Sequence, residues 1–186
     1  MRLIFFLAIF YSVPALSQSS IYELDIQTIT GETVSFKAYK GQKILIASVS
    51  TDNLQKKGAL VFWDSLKAAN PKTAMILMAA GDIGTAVDSA ALNNIKNNTS
   101  DKLVLSGTVQ VKKDKGNNQN PVMQWLTDGN KNSHFNADVE TDQQIYVISE
   151  SGVLYAVLGK GVSPSVIDQV LKQNDVKPQI YSGLKQ

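Results

Sequence analysis

Two kinds of patterning run along the chain. Near the start, Tyr22, Leu24 and Ile26 alternate with polar residues, and so do Val34 and Phe36, with Thr30-Gly31 between them. Alternation of period two around a glycine turn predicts a β-hairpin. Then "KILIASV" at 43–49 is almost continuously apolar, the mark of a strand covered on both faces. Leu54, Ala59, Leu60, Trp63 and Leu66 recur at helical spacing up to Asn70-Pro71, which closes that helix. "TAMILMAAG" at 73–81 reads as a second buried strand, followed by a helix from about Ala86 to Lys96. Strand, helix, strand, helix at this spacing implies parallel strands.

The middle of the chain is polar. A short strand is expected around 108–111, then a loop. "NPVMQWL" at 120–126 places Pro121 in the first turn of a helix, with Val122, Met123, Trp125 and Leu126 to pack. An Asn/Asp/Gly-rich loop follows. The end is two strands turning at Ser151-Gly152, then a helix with Ser163 as N-cap, Pro164 next, and Val166, Ile167, Val170 and Leu171 as its stripe. A loose tail is expected after Asp175.

The first residues change this picture. Arg2, an apolar run over 3–13, Pro14 and the small residues Ala15 and Ser17 form a signal-peptide pattern with cleavage after Ser17. The reading is therefore a signal peptide at 1–17 and one domain at 18–186, exported to the periplasm or secreted, without stable membrane insertion once the signal is cut. Hydrophobic residues make up 44% and charged residues 18%, as in a globular protein. A net charge of +2 gives no basis for nucleic-acid binding, and "KKDK" at 112–115 reads as a solvated loop. The chain has no cysteine, which excludes disulfides, thiolate nucleophiles, Cys-ligated metals and an acylated lipoprotein anchor.

The order of elements is that of a thioredoxin-like α/β fold: a central mixed sheet flanked by helices, with an N-terminal hairpin. Within it, "SIYELDIQTITGETVSFKAYKGQKILIASVST" (20–51), "NPVMQWL" and "IYVISESGVLYAVLGKGVSPSVIDQVL" resemble, in order and wording, the glutathione peroxidase family. A redoxin of the thiol-reductase type is the competing placement. The resemblance implies a peroxidatic Cys or selenocysteine supported by Gln, Trp and Asn. Carried onto this chain, the nucleophile falls at or beside Asn53, the Gln near Asp82, and the Trp-Asn pair near Thr141 and Asp142. None of the four is kept. The resemblance therefore implies a cysteine-free, non-catalytic member acting as a binding or interaction module for an unidentified protein or small ligand. The alternative is a redox protein of oxidative-stress defence that works without its own thiol, through non-thiol groups or a bound cofactor.

The candidate ligand-binding residues are Asp52, Asn53, Asp82 and Asp142; no metal ligands and no cofactor are assigned. Asp52 or Asn53 is expected to cap the helix that follows. Asp82 and Asp142 could meet in one pocket at the carboxyl ends of the strands and hold a hard cation or a cationic ligand, or each could be a solvated loop acid or turn former. His134, the single histidine, lies near Ser133 and Asp138 but in no nucleophile-elbow sequence, and reads as a surface residue. Trp63 and Trp125 read as core. "NNTS" at 97–100 holds overlapping glycosylation sequons that matter only in a eukaryotic secretory pathway.

Overall fold

The computed structural model describes residues 19–85, 87–173 and 179–180. The expected signal peptide, Ala86 and most of the tail after Asp175 lie outside these residues; the helix expected from about Ala86 to Lys96 instead runs over Ser89–Asn98, because Asp88 is extended and caps it.

The apolar run at 43–49 becomes β3 (Ile44–Ser50), with all seven residues buried. β4 (Ala74–Ala80) is equally buried and lies parallel to it. β5 (Val104–Val109) continues the parallel set beyond β4. On the other side, β6 (Gln144–Ile148) runs antiparallel to β3, and β7 (Leu154–Leu158) antiparallel to β6. A two-residue β8 (Gln179–Ile180) adds parallel to β7, so part of the tail expected to be loose is strand. The sheet order is β5-β4-β3-β6-β7-β8.

Because side chains alternate across a strand, β3 feeds two cores. Leu45, Ala47 and Val49 face one layer, where Leu60, Trp63 and Leu66 of α2 (Ala59–Ala69) pack with Ile167, Val170 and Leu171 of α6 (Pro164–Lys172). Ile95 of α3 (Ser89–Asn98) joins them. Ile44 and Ile46 face the other layer, made by Val122, Met123, Trp125 and Leu126 of α4 (Pro121–Thr127) together with Ile21, Ile26 and Phe36. Trp63 and Trp125 are both core residues, 1% and 3% exposed, as their spacing implied. Trp125 also donates its indole N–H to the carbonyl of Ser19 at 2.6 Å, tying the N-terminal segment to the second layer.

The local signals explain most helix starts. Asn120 accepts from Val122 N, Asp88 from Ala91 N, Asp128, ahead of the single turn α5 (Gly129–Asn132), from Asn130 N, and Ser163 from Val166 N, each supplying an acceptor to an otherwise orphaned first-turn N–H. Three further expectations are corrected. The helix after β3 is broken: α1 (Thr51–Leu54) stops, Gly58 turns with φ +86°, and α2 begins. The strand expected at 108–111 starts earlier, at Val104, because Leu103 and Leu105 are the residues the core takes. A register shift opposite Met78 then disguises its alternation, and Ser106 Oγ covers the gap by accepting from Ala79 N at 2.8 Å. The N-terminal hairpin is also shorter than its pattern, β1 (Asp25–Gln27) with β2 (Thr33–Ser35), since 3-10 turns at Ile21–Glu23 and Phe36–Tyr39 push Ile21 and Phe36 into the core. The hairpin clasps β5 through a Thr28–Ser106 bridge and a bond from Ile29 N to Leu105 O.

Candidate functional site

The junction after β3 is where strand gives way to helix and where the resembling family carries its nucleophile. Ser50 ends the strand 2% exposed, and Thr51 to Leu54 form the single turn of α1. Asp52 and Asn53 therefore lie inside α1. Ser50 occupies the N-cap position without a side-chain capping bond, so neither Asp52 nor Asn53 caps the helix.

What holds this turn is Asp142, 92 positions away in sequence. One carboxylate oxygen accepts from Ser50 N at 2.7 Å; the other accepts from Ser50 Oγ and from Asn53 Nδ2, both at 2.9 Å. These are charge-assisted bonds, about twice as strong as neutral ones. The approach of Asp142 is set by its neighbour. Gln143 adopts a left-handed conformation, φ +63°, and donates its N–H to Ser48 O at 2.8 Å, continuing the β3–β6 ladder by one step. Such a backbone is uncommon for a residue with a Cβ and persists only where surrounding bonds fix it. Beneath it, Gln144 is buried, accepting from Glu140 N and donating to Tyr146 Oη at 2.9 Å. Burial pushes the Tyr146 phenol far above its ordinary value, with the Asp138 carboxylate adding to the effect, so it stays protonated.

The other face of α1 meets the loop after β4. Gly84, φ +72°, packs so tightly on Asp52 that a Cβ there would fall 2.3 Å from Asp52 Oδ1. That oxygen is buried and makes no hydrogen bond. Ser48 Oγ, fully buried in β3, also makes none. Asp82, in the same loop, turns elsewhere. Its carboxylate accepts from Val111 N at 2.9 and 3.0 Å and from Lys112 N at 2.9 Å, closing the chain after β5. Of the four candidate residues, then, the structure brings Asn53 to Asp142 by a direct bond and seats Asp52 in the same turn of helix. The bonds of Asp82 serve the loop at 111–112. Thr141 Oγ1 accepts a long bond, 3.4 Å, from Lys160 N.

Outside the junction the remaining candidates are structural. His134 is exposed, and Asp138 Oδ1 accepts from the backbone of Lys113 and Val139, so Ser133, His134 and Asp138 form no relay. Among the described residues, no cluster of three or more His, Asp or Glu side chains is disposed to hold a metal ion, and no helix is long and apolar enough to cross a membrane. The sequence pointed to Asn53 and Asp142 through the resemblance, but not to their bond. Nor did it point to the buried Ser48, Gln144 and Tyr146 beneath them, whose alternation reads as ordinary strand.

Chemically, the junction is a carboxylate-centred hydrogen-bond knot. The Asn53 amide spends a donor on Asp142, and Ser50 spends both its N–H and O–H there. A serine bonded to a carboxylate with no imidazole between them lacks the base that activates a nucleophilic hydroxyl.

No protein-family model matches the chain, and no curated protein matches it. Solved structures do. The apo form of Trgpx superposes with a TM-score of 0.59 at 14% identity, covering 83% of this chain and 94% of that one. T. cruzi GPX1 gives 0.55 at 15% identity, covering 82% and 94%. The exposed lipoprotein thioredoxin Etrx1 of Streptococcus pneumoniae strain TIGR4 gives 0.54 at 14%, covering 80% and 97%. At these identities the likeness is one of architecture. With the mixed sheet and flanking helices described above, it establishes that the chain has the thioredoxin-like fold.

Proposed function

We propose that the protein is a glutathione-peroxidase-like member of the thioredoxin-fold proteins that performs no thiol chemistry and serves, outside the cytoplasm, as a binding or interaction module. One observation carries the reading. The strand-to-helix junction holds Ser50, Thr51, Asp52 and Asn53, with Ser50 and Asn53 bonded to the Asp142 carboxylate, in a chain without cysteine. Peroxide reduction by this type of site needs a thiolate or selenolate, and a thiolate needs positive charge or free donors around it. Here the nearby charge is negative, and both Ser50 donors and one of Asn53 are engaged by it. The junction keeps its shape through hydrogen bonding, which suits presentation of a fixed surface.

A peroxidase assay coupled to glutathione or to thioredoxin, on the purified protein, tests this. The expected rate equals the background without protein; turnover above it overturns the reading. Export rests on the N-terminal pattern and is supported by the architecture shared with an exposed lipoprotein thioredoxin. Sequencing the protein recovered outside the cytoplasm should find Gln18 as its first residue, and retention of the intact chain inside the cell would refute export.

A further inference from the structure

The opposite end of the sheet carries a separate feature. Lys43 stands just before β3, Thr73 just before β4, and Glu150 in the turn between β6 and β7. With the ends of α2 and α6 they border a cleft of about 690 Å³, within the range of roughly 300–1,000 Å³ common for small-molecule sites. Ala69, Pro71 and Leu171 give it apolar surface.

Lys43 is the unusual member. Its side chain is 7% exposed, a burial that lysine seldom accepts. The ammonium donates to the carbonyl of Leu171 at 2.9 Å and to that of Gln173, at the C-terminal end of α6 where a cation is favourable. An ammonium has three hydrogens. Glu150 Oε1 stands 3.7 Å away, an ion-pair partner outside hydrogen-bonding distance, and its side chain is 55% exposed. Lys72 and Lys172 add positive charge at the rim, and Lys67 reaches the carbonyls of Pro71 and Thr73 on the cleft wall. Against these four lysines stand Glu150 and Asp168, the latter paired with Lys172 at 2.6 Å.

We propose that this cleft binds a small amphiphilic monocarboxylate. The carboxylate would take the remaining Lys43 hydrogen and the field of Lys72 as exposed Glu150 turns outward, and a short aliphatic chain would lie on Ala69, Pro71 and Leu171. A cationic ligand is opposed by the lysines. A phosphate dianion would find too few free donors to replace its hydration.

Octanoate is the probe, with octylammonium and inorganic phosphate as comparators, followed by amide NMR of the purified protein. Saturable shifts of the Gly41, Thr73 and Leu171 amides are expected with octanoate alone. Lys43→Met would also strip two carbonyl caps from α6, so the informative variants are Lys72→Glu and Ala69→Trp, at exposed positions. Each should weaken octanoate binding by about tenfold or more, equivalent to about 1.4 kcal/mol. The proposal is overturned by the absence of saturable shifts, by equal responses to octylammonium or phosphate, or by unchanged binding in Ala69→Trp.

Discussion

Replacing Asp142 by alanine removes the acceptor of three hydrogen bonds at once. Two come from Ser50, which is 2% exposed, and one from Asn53, which is partly exposed. The costs differ. Asn53 can turn its amide to water, and the Ser50 hydroxyl can rotate towards another acceptor. The Ser50 N–H cannot move, and a buried donor left without a partner costs about 1–3 kcal/mol. Adding a partial loss from the two side-chain donors gives about 2–4 kcal/mol for Asp142→Ala. In a domain of this size that lowers Tm by about 5–12 °C. Asp142→Asn keeps an acceptor for the N–H without the charge and should lose about half as much. Urea unfolding with an unchanged m-value measures the difference. A cycle combining Asp142→Ala with Asn53→Ala should return a coupling of about 0.5–1.5 kcal/mol. A loss below about 0.5 kcal/mol for Asp142→Ala, with no coupling to Asn53, would show that water replaces the carboxylate freely and that the knot is not what fixes the junction.

Three further outcomes follow from the same geometry. Asn53→Cys places a thiol beside Asp142, whose negative charge opposes ionisation; titration by ultraviolet absorbance should find it no more acidic than the ordinary thiol value of about 8.5 and should find no restored peroxidase rate. Gly84→Ala forces a Cβ to 2.3 Å from Asp52 Oδ1 at a left-handed φ, and should cost about 1–3 kcal/mol in urea unfolding, where Gly58→Ala, also left-handed at φ +86° but with no neighbour in reach of its Cβ, should cost less. The hydrogen bond from Lys172, then that from Asn70, holds the Asp168 carboxyl below its ordinary value. Since the folded value is the lower one, this contribution is complete above the unfolded carboxyl value of about 3.9 and is lost as the pH falls through the folded one. Asp168→Asn should therefore flatten the acid limb of stability against pH.

Where a signal is local, the chain shows its structure plainly. Ser163 and Pro164 announce α6, Asn120 and Pro121 announce α4, and the unbroken apolar run of β3 reports cover on both faces. Where neighbours decide, the sequence misleads. The helical spacing of Leu54, Leu60, Trp63 and Leu66 passes straight across a break, because both α1 and α2 pack on the same core while Gly58 resets the axis between them. Ser106 and Gly107 hide β5 because the irregular register there places an extra residue against β4. In the candidate site, family likeness could point to Asn53 and Asp142, but the bond between them joins distant segments and leaves no local mark. Lys43 looks like a polar strand border; its burial comes from α6 arriving from the far end of the chain.

The seating of β3 between β4 and β6 sets an order of events. β4 lies close behind β3 in the chain, but β6 begins at Gln144. Until that strand is made, β3 presents one whole edge of unpaired N–H and C=O groups, flanked by apolar Ile44 and Ile46, and Ser50 has no carboxylate to fix its turn. A chain stopped before residue 144 should collapse and self-associate. Completion depends on contacts of long sequence separation, so stopped-flow refolding should be slower than that of helical proteins of this length.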